Sequence, residues 1–170
     1  FGGASTTLAK GLQGNTTLQE IKLHFDPSNS DPNLAKVITV LTGHPKLITI
    51  ELESFNIDDE TSRALERLLS APSCKIEKLG LGYTNWEPHG ETVIRGLKEC
   101  KSLESISIDI GIEFEEAVMI NLMDAVLPNC PRLKSIEVGR NTISISSLAK
   151  LKMLAPMREP SKIREFFIQY

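Results

Sequence analysis

The chain has 170 residues, 41% of them hydrophobic and 24% charged, with signs interspersed and a formal net charge of −3. That length suffices for one well-buried core, so residues 1–170 read as a single domain, and the lack of clustered Lys and Arg removes the electrostatic footprint expected of a nucleic-acid or anionic-membrane ligand. No run of about 18 apolar residues marks a membrane span, and Phe1-Gly2-Gly3-Ala4-Ser5 lacks the basic-then-apolar layout of a secretion signal, which predicts a soluble, cytoplasmic chain.

The first predicted element is a helix carried by Leu8/Ala9/Leu12. It is followed by a phrase of the form apolar-x-x-apolar-x-apolar, Leu18/Ile21/Leu23. The same pairing then returns. Leu34/Val37/Ile38/Leu41 precedes Leu47/Ile50/Leu52, and Ala64/Leu65/Leu68/Leu69 precedes Ile76/Leu79/Leu81. Val93/Ile94/Leu97 precedes Leu103/Ile106/Ile108, and Val118/Met119/Leu122/Val126 precedes Leu133/Ile136/Val138. Leu148/Leu151/Leu154 precedes the last phrase, Ile163/Phe166/Ile168. The phrases begin at positions 18, 47, 76, 103, 133 and 163, a period of 27 to 30 residues, which is the self-similarity of a repeat array.

Within each phrase the fourth and sixth places alternate with polar residues, the signature of a strand with one buried face. Strands joined through helices run parallel, and a unit this short cannot close a core alone, so each must stack on its neighbours. Asp58-Asp59-Glu60 supplies acceptors and negative charge where a helix begins, and Pro72, Pro88 and Pro128 are read as marking junctions, since proline inside a helix costs a hydrogen bond.

These residues resemble the leucine-rich-repeat family, in its ribonuclease-inhibitor-like class with helix-containing repeats. Leu8-Ala9-Lys10-Gly11-Leu12-Gln13-Gly14-Asn15-Thr16-Thr17-Leu18-Gln19-Glu20-Ile21-Lys22-Leu23 carries the resemblance, as does Leu133-x-x-Ile136-x-Val138-x-x-Asn141-x-Ile143. The resemblance implies an α/β solenoid of about six strands, with a curved parallel sheet on the concave side and helices on the convex side. It also implies protein partners held in the concavity. The family's asparagine place is taken by Asp26, Phe55, Thr84 and Gly111, so its ladder of turn hydrogen bonds is expected to be mostly absent. The chain starts and stops without polar capping units, which predicts a monomeric piece of a longer array.

Places three, five and seven of each phrase are expected on the outer, concave face. Those rows run Glu20, Thr49, Lys78, Ser105, Ser135, Glu165; Lys22, Glu51, Gly80, Ser107, Glu137, Phe167; and His24, Glu53, Gly82, Asp109, Gly139, Gln169. They describe a floor of small residues surrounded by carboxylates. The candidate partner-binding set is Glu51, Glu53, Lys78, Tyr83, Ser107, Asp109, Glu137 and Arg140, with Tyr83 at the rim, where aromatics anchor interfaces. Trp86 and Phe55 occupy turn places read as core.

No catalytic site, metal site or cofactor is predicted. His24, His44 and His89 fall at three different structural places, and the runs Asp58/Asp59/Glu60 and Glu113/Glu115/Glu116 are explained by capping and loop solvation. Gly80-Leu81-Gly82-Tyr83 lies inside a strand phrase and lacks the Gly-Lys of a phosphate loop. Asn15-Thr16-Thr17 fits a glycosylation acceptor in pattern but falls in a helix-to-strand turn. Cys74, Cys100 and Cys130 have no CxxC spacing and suit a reducing compartment; Cys100 and Cys130 each precede a phrase by three residues and read as small buried fillers. The expected function is a non-catalytic module that binds a protein bearing a modestly basic patch. The alternative that the resemblance implies is a regulatory or receptor part of a larger protein: GTPase-activating, a ubiquitin-ligase substrate receptor, or a sensor array.

Overall fold

The computed structural model describes residues 3–25, 33–84, 86, 88–110, 116–139 and 165–168. Helices and strands alternate as far as β5: α1 (Gly3–Leu12), β1 (Glu20–His24), α2 (Leu34–Leu41), β2 (Thr49–Glu53), α3 (Asp59–Ser70), β3 (Lys78–Thr84), α4 (Gly90–Glu99), β4 (Ser105–Ile110), α5 (Glu116–Asn129) and β5 (Ser135–Gly139); β6 (Glu165–Ile168) is the last described strand. The six strands form one parallel sheet in chain order. Each predicted phrase contains one strand. The predicted helix at Leu148/Leu151/Leu154 lies outside the described residues, as do Asp26, Gly111, Glu113 and Glu115.

Register follows the repeat position by position. The fourth-place residues Ile21, Ile50, Leu79, Ile106, Ile136 and Phe166 are successive partners, and so are the sixth-place residues Leu23, Leu52, Leu81, Ile108, Val138 and Ile168. Ile50, Leu79, Ile106 and Ile136 are at most 1% exposed. A one-residue slip would turn all of them outward, so burial itself locks the alignment. Consecutive helices pack on one another, from α1 on α2 to α4 on α5, and their apolar stripes close the core over the strands.

The strand entrances share a backbone device. The amides of Glu77 and Lys78 both donate to the Ile48 carbonyl, those of Glu104 and Ser105 to Glu77, and those of Lys134 and Ser135 to Glu104. Helix ends are equally explicit. Asp58 caps α3 by accepting from the Thr61 amide at 2.7 Å, with Asp59 and Glu60 in the first turn where the helix dipole favours them. After α1, Gly14 takes the left-handed conformation (φ 80°) and Asn15 Oδ1 accepts from the amides of Thr17 and Leu18, both at 2.9 Å. Asn15 thus serves as a turn residue.

Two expectations need correction. Pro128 does not mark the end of a helix but sits inside α5. It falls one residue before the helix ends, so it removes a single bond of the last turn, and the Cys130 amide still closes onto the Val126 carbonyl at 3.0 Å. The turn ladder is also not simply lost. Thr84, at the asparagine place, donates its hydroxyl to the carbonyl of Phe55, the equivalent residue one repeat earlier, at 2.6 Å, and Thr84 is 2% exposed. Phe55 in turn packs its ring against Phe25, centroids 6.3 Å apart. Phe55 and Trp86 are both buried, as their turn places predict.

Candidate functional site: the outer face of the sheet

The sheet face turned away from the helices is built by the odd places of each phrase. Glu20, Lys22, His24, Glu53 and Lys78 are exposed there, and Glu51, Gly80, Ser105, Ser107, Ser135 and Glu137 are half-buried. Thr49 and Gly82 depart from the expectation of outward exposure and are buried, Thr49 being flanked in register by Glu20 and Lys78, whose longer side chains stand on either side.

The charges on this face are tied to each other. Lys22 Nζ lies 3.0 Å from Glu51 and 3.1 Å from Glu20, which raises its pKa, Glu51 acting most strongly. His24 Nδ1 lies 3.1 Å from Glu53 Oε2. The expected acidic trough is therefore, at the β1–β2 end, a row of carboxylates each in contact with Lys22 or His24. The floor is also partly covered: a Cβ built on Gly80 would lie 3.0 Å from Glu51 Cγ, so Gly80 is the space over which the Glu51 stem lies. Toward β4 and β5 the floor continues as Ser105, Ser107 and Ser135.

Of the remaining candidates, Asp109 aligns with Gly82 on one side and Gly139 on the other. Tyr83 falls at a register shift between Gly82 and Thr84, where β3 carries one residue more than β4. Arg140 lies outside the described residues. The seven others lie in strands of one sheet.

A second charged band went unrecognised in the sequence because it occupies the second place of the phrase and its flank. Arg132 Nη2 contacts Glu104 closely and lies 3.6 Å from Glu77, and Lys134 Nζ lies 2.6 Å from Glu104. Lys134 first, then Arg132, hold the Glu104 carboxyl below its usual range. A carboxylate whose pKa is lower in the folded state stabilises above its unfolded pKa and stops doing so as pH falls through the folded one. Glu104→Gln should therefore cost under about 1 kcal/mol at neutral pH, and urea titrations should show the difference from the parent shrink as pH falls below the ordinary glutamate range and the carboxylate takes up its proton. An unchanged difference would mean that the band acts by packing alone.

On the helical side, an open groove between α2 and α3 is lined by Lys36, Thr39, Asp59, Arg63 and Arg67, with Asp59 paired to Arg63 at 3.0 Å. Among the described residues no three His, Cys, Asp or Glu side chains converge as a metal would require, and no helix is long and apolar enough to cross a membrane.

No family model matches the chain. A stretch of 112 residues, 65% of the chain, is 28% identical to NACHT, LRR and PYD domains-containing protein 9 of Bos taurus, and it spans 10% of that protein's length. Among solved structures, the tropomodulin C-terminal domain of Caenorhabditis elegans superposes with a TM-score of 0.64 at 15% identity, covering 90% of this chain and 92% of that one. A structure described as Leiomodin-1 Actin-Binding Site 2 superposes with a TM-score of 0.66 at 12% identity, covering 94% of this chain and 93% of that one. At such identities the likeness establishes fold and nothing finer. The chain has an α/β fold with a parallel sheet, similar to these leucine-rich-repeat-like domains.

Proposed function

We propose that the chain is a non-catalytic protein-interaction module, a curved section of a longer ribonuclease-inhibitor-like array that receives a protein partner on its outer sheet face. The observation that carries this reading is the position-by-position register of the strands. It lines the odd-place residues into rows across the sheet, small and hydroxyl-bearing at Ser105, Ser107 and Ser135 and charged at Glu20, Lys22, Glu51 and Glu53. A floor of short side chains lets a partner approach the backbone, while the paired charges at one end supply orientation rather than bulk affinity. The sequence match to a tenth of a much longer protein whose name includes LRR supports placing the chain within a multidomain protein. Free thiols at Cys74, Cys100 and Cys130 fit a reducing, cytoplasmic setting.

The test replaces Ser107, on the sheet face, or Arg67, on the helical face, with a photo-crosslinking residue in otherwise identical chains. Protein adducts formed in lysate from position 107 and absent from position 67 support the reading. Adducts from position 67 alone, or from neither, overturn it. Because one structural neighbour is described as an actin-binding site, purified actin is the first defined partner to add, and an adduct at position 107 would name the partner directly.

A further inference from the structure

Cys74 and Cys100 lie 26 residues apart in sequence, in successive units, yet their sulfurs are 3.8 Å apart. They lie ahead of β3 and β4, and Cys100 stands where a small buried filler was expected. Their environments differ in a useful way. Cys100 is fully buried, with its sulfur 3.7 Å from Ser102 Oγ and 3.8 Å from the Ile76 carbonyl. Cys74 is half-buried and lines a small cleft together with Gly43, His44, Ser73 and Lys75. His44 is 8% exposed, its Nδ1 accepts from the Lys46 amide at 3.3 Å, and its Nε2 has no hydrogen-bond partner among the described residues.

We propose that Cys74 and Cys100 are a peroxide-oxidisable dithiol that closes into a disulfide joining two successive units, with Cys74 the thiol first oxidised and Cys100 the resolving thiol. The contact with Cys100 lowers the Cys74 pKa against the opposing effect of burial, whereas the same contact and burial raise that of Cys100. The thiolate is the nucleophile, so the more acidic sulfur is also the one nearer solvent. Cys74 Sγ attacks one oxygen of hydrogen peroxide, the O–O bond breaks, and the departing hydroxide takes up the thiol proton as water, leaving a sulfenic acid on Cys74. Cys100 Sγ then attacks the Cys74 sulfur, the S–S bond forms as the S–O bond breaks, and the second hydroxide leaves as water with the Cys100 proton. Two thiols lose two electrons and one peroxide becomes two waters. Cys130 is the internal control: it is fully buried, and its thiol donates to the Leu97 carbonyl at 3.4 Å.

The experiment treats the whole 170-residue chain with hydrogen peroxide, quenches, alkylates under denaturing conditions and maps the peptides by mass spectrometry. The expected product is a Cys74–Cys100 linked peptide that dithiothreitol reverses, with Cys130 alkylated as a free thiol. A Cys100→Ser chain, checked for folding by circular dichroism, should instead accumulate a dimedone-reactive sulfenic acid at Cys74. A linkage that involves Cys130, linkage only between separate chains, or no linkage in the parent would overturn the proposal. So would dimedone labelling that falls anywhere but Cys74.

Discussion

Replacing Ile106 with aspartate is expected to abolish cooperative folding of the centre of the sheet, whereas Ser107→Lys, one residue along the same strand, should shift stability by no more than about 1 kcal/mol. Ile106 is 0% exposed and stands in register between Leu79 and Ile136. Its removal forfeits roughly 1.5–3 kcal/mol of apolar burial. The carboxylate that replaces it must either stay charged in an apolar layer or take up a proton, and the combined loss exceeds about 4–5 kcal/mol, the range of severe core lesions. Since a domain's whole stability is about 5–15 kcal/mol, little remains. The loss also spreads, because units β3 and β5 each rely on β4 for one of their two sheet neighbours. Urea unfolding followed by circular dichroism decides the matter: a parent-like midpoint for Ile106→Asp would show that this strand does not face the core.

The second large effect is expected at a glycine. In α4, a Cβ added to Gly96 would come within 2.8 Å of the Glu66 Cα and 3.1 Å of the Glu66 carbonyl oxygen in α3. Backbone atoms cannot rotate away, so α3 and α4 must separate. Gly96→Ala should therefore lose about 1–2 kcal/mol, even though alanine in a helix is otherwise worth about 1 kcal/mol over glycine. Gly96→Leu should lose about 3 kcal/mol or more. Gly11, inside α1, is the opposite case: nothing lies within 4 Å of its added Cβ, and Gly11→Ala should stabilise by up to about 1 kcal/mol. Chemical denaturation of the three variants measures both signs at once, and a stabilising Gly96→Ala would show that the two helices are not in such close approach.

These two residues also mark how far the sequence could be read. Ile106 announces itself, because period-two alternation repeated six times leaves one consistent register, and the strands, their order and the outer-face rows follow from it. Gly96 does not, because a glycine within a helical pattern looks the same whether it weakens a surface turn or admits a neighbouring backbone. Thr84 was legible only as a departure from asparagine; that a hydroxyl bridges to the carbonyl one unit earlier depends on the distance between turns, which spacing does not encode. Cys74 escaped its partner for a simpler reason. It precedes its phrase by two residues where Cys100 precedes by three, so alignment by position separates two sulfurs that space brings together. Likewise Lys22 and His24 were readable as outer-face residues, but their pairing with Glu51 and Glu53 emerges only when neighbouring strands are set side by side.

The chain-order arrangement of the strands also bears on how quickly such a chain folds. Every strand finds its partner in the strand just completed, so the segment closed at each step is one repeat long however many repeats have already formed. Loop-closure entropy grows with the length of that segment, and folding rates track the separation of contacting residues. Adding units thus lengthens the chain without lengthening the search. A newly emerging repeat can dock on its predecessor while the remainder is still being synthesised, and the order of synthesis can become the order of assembly.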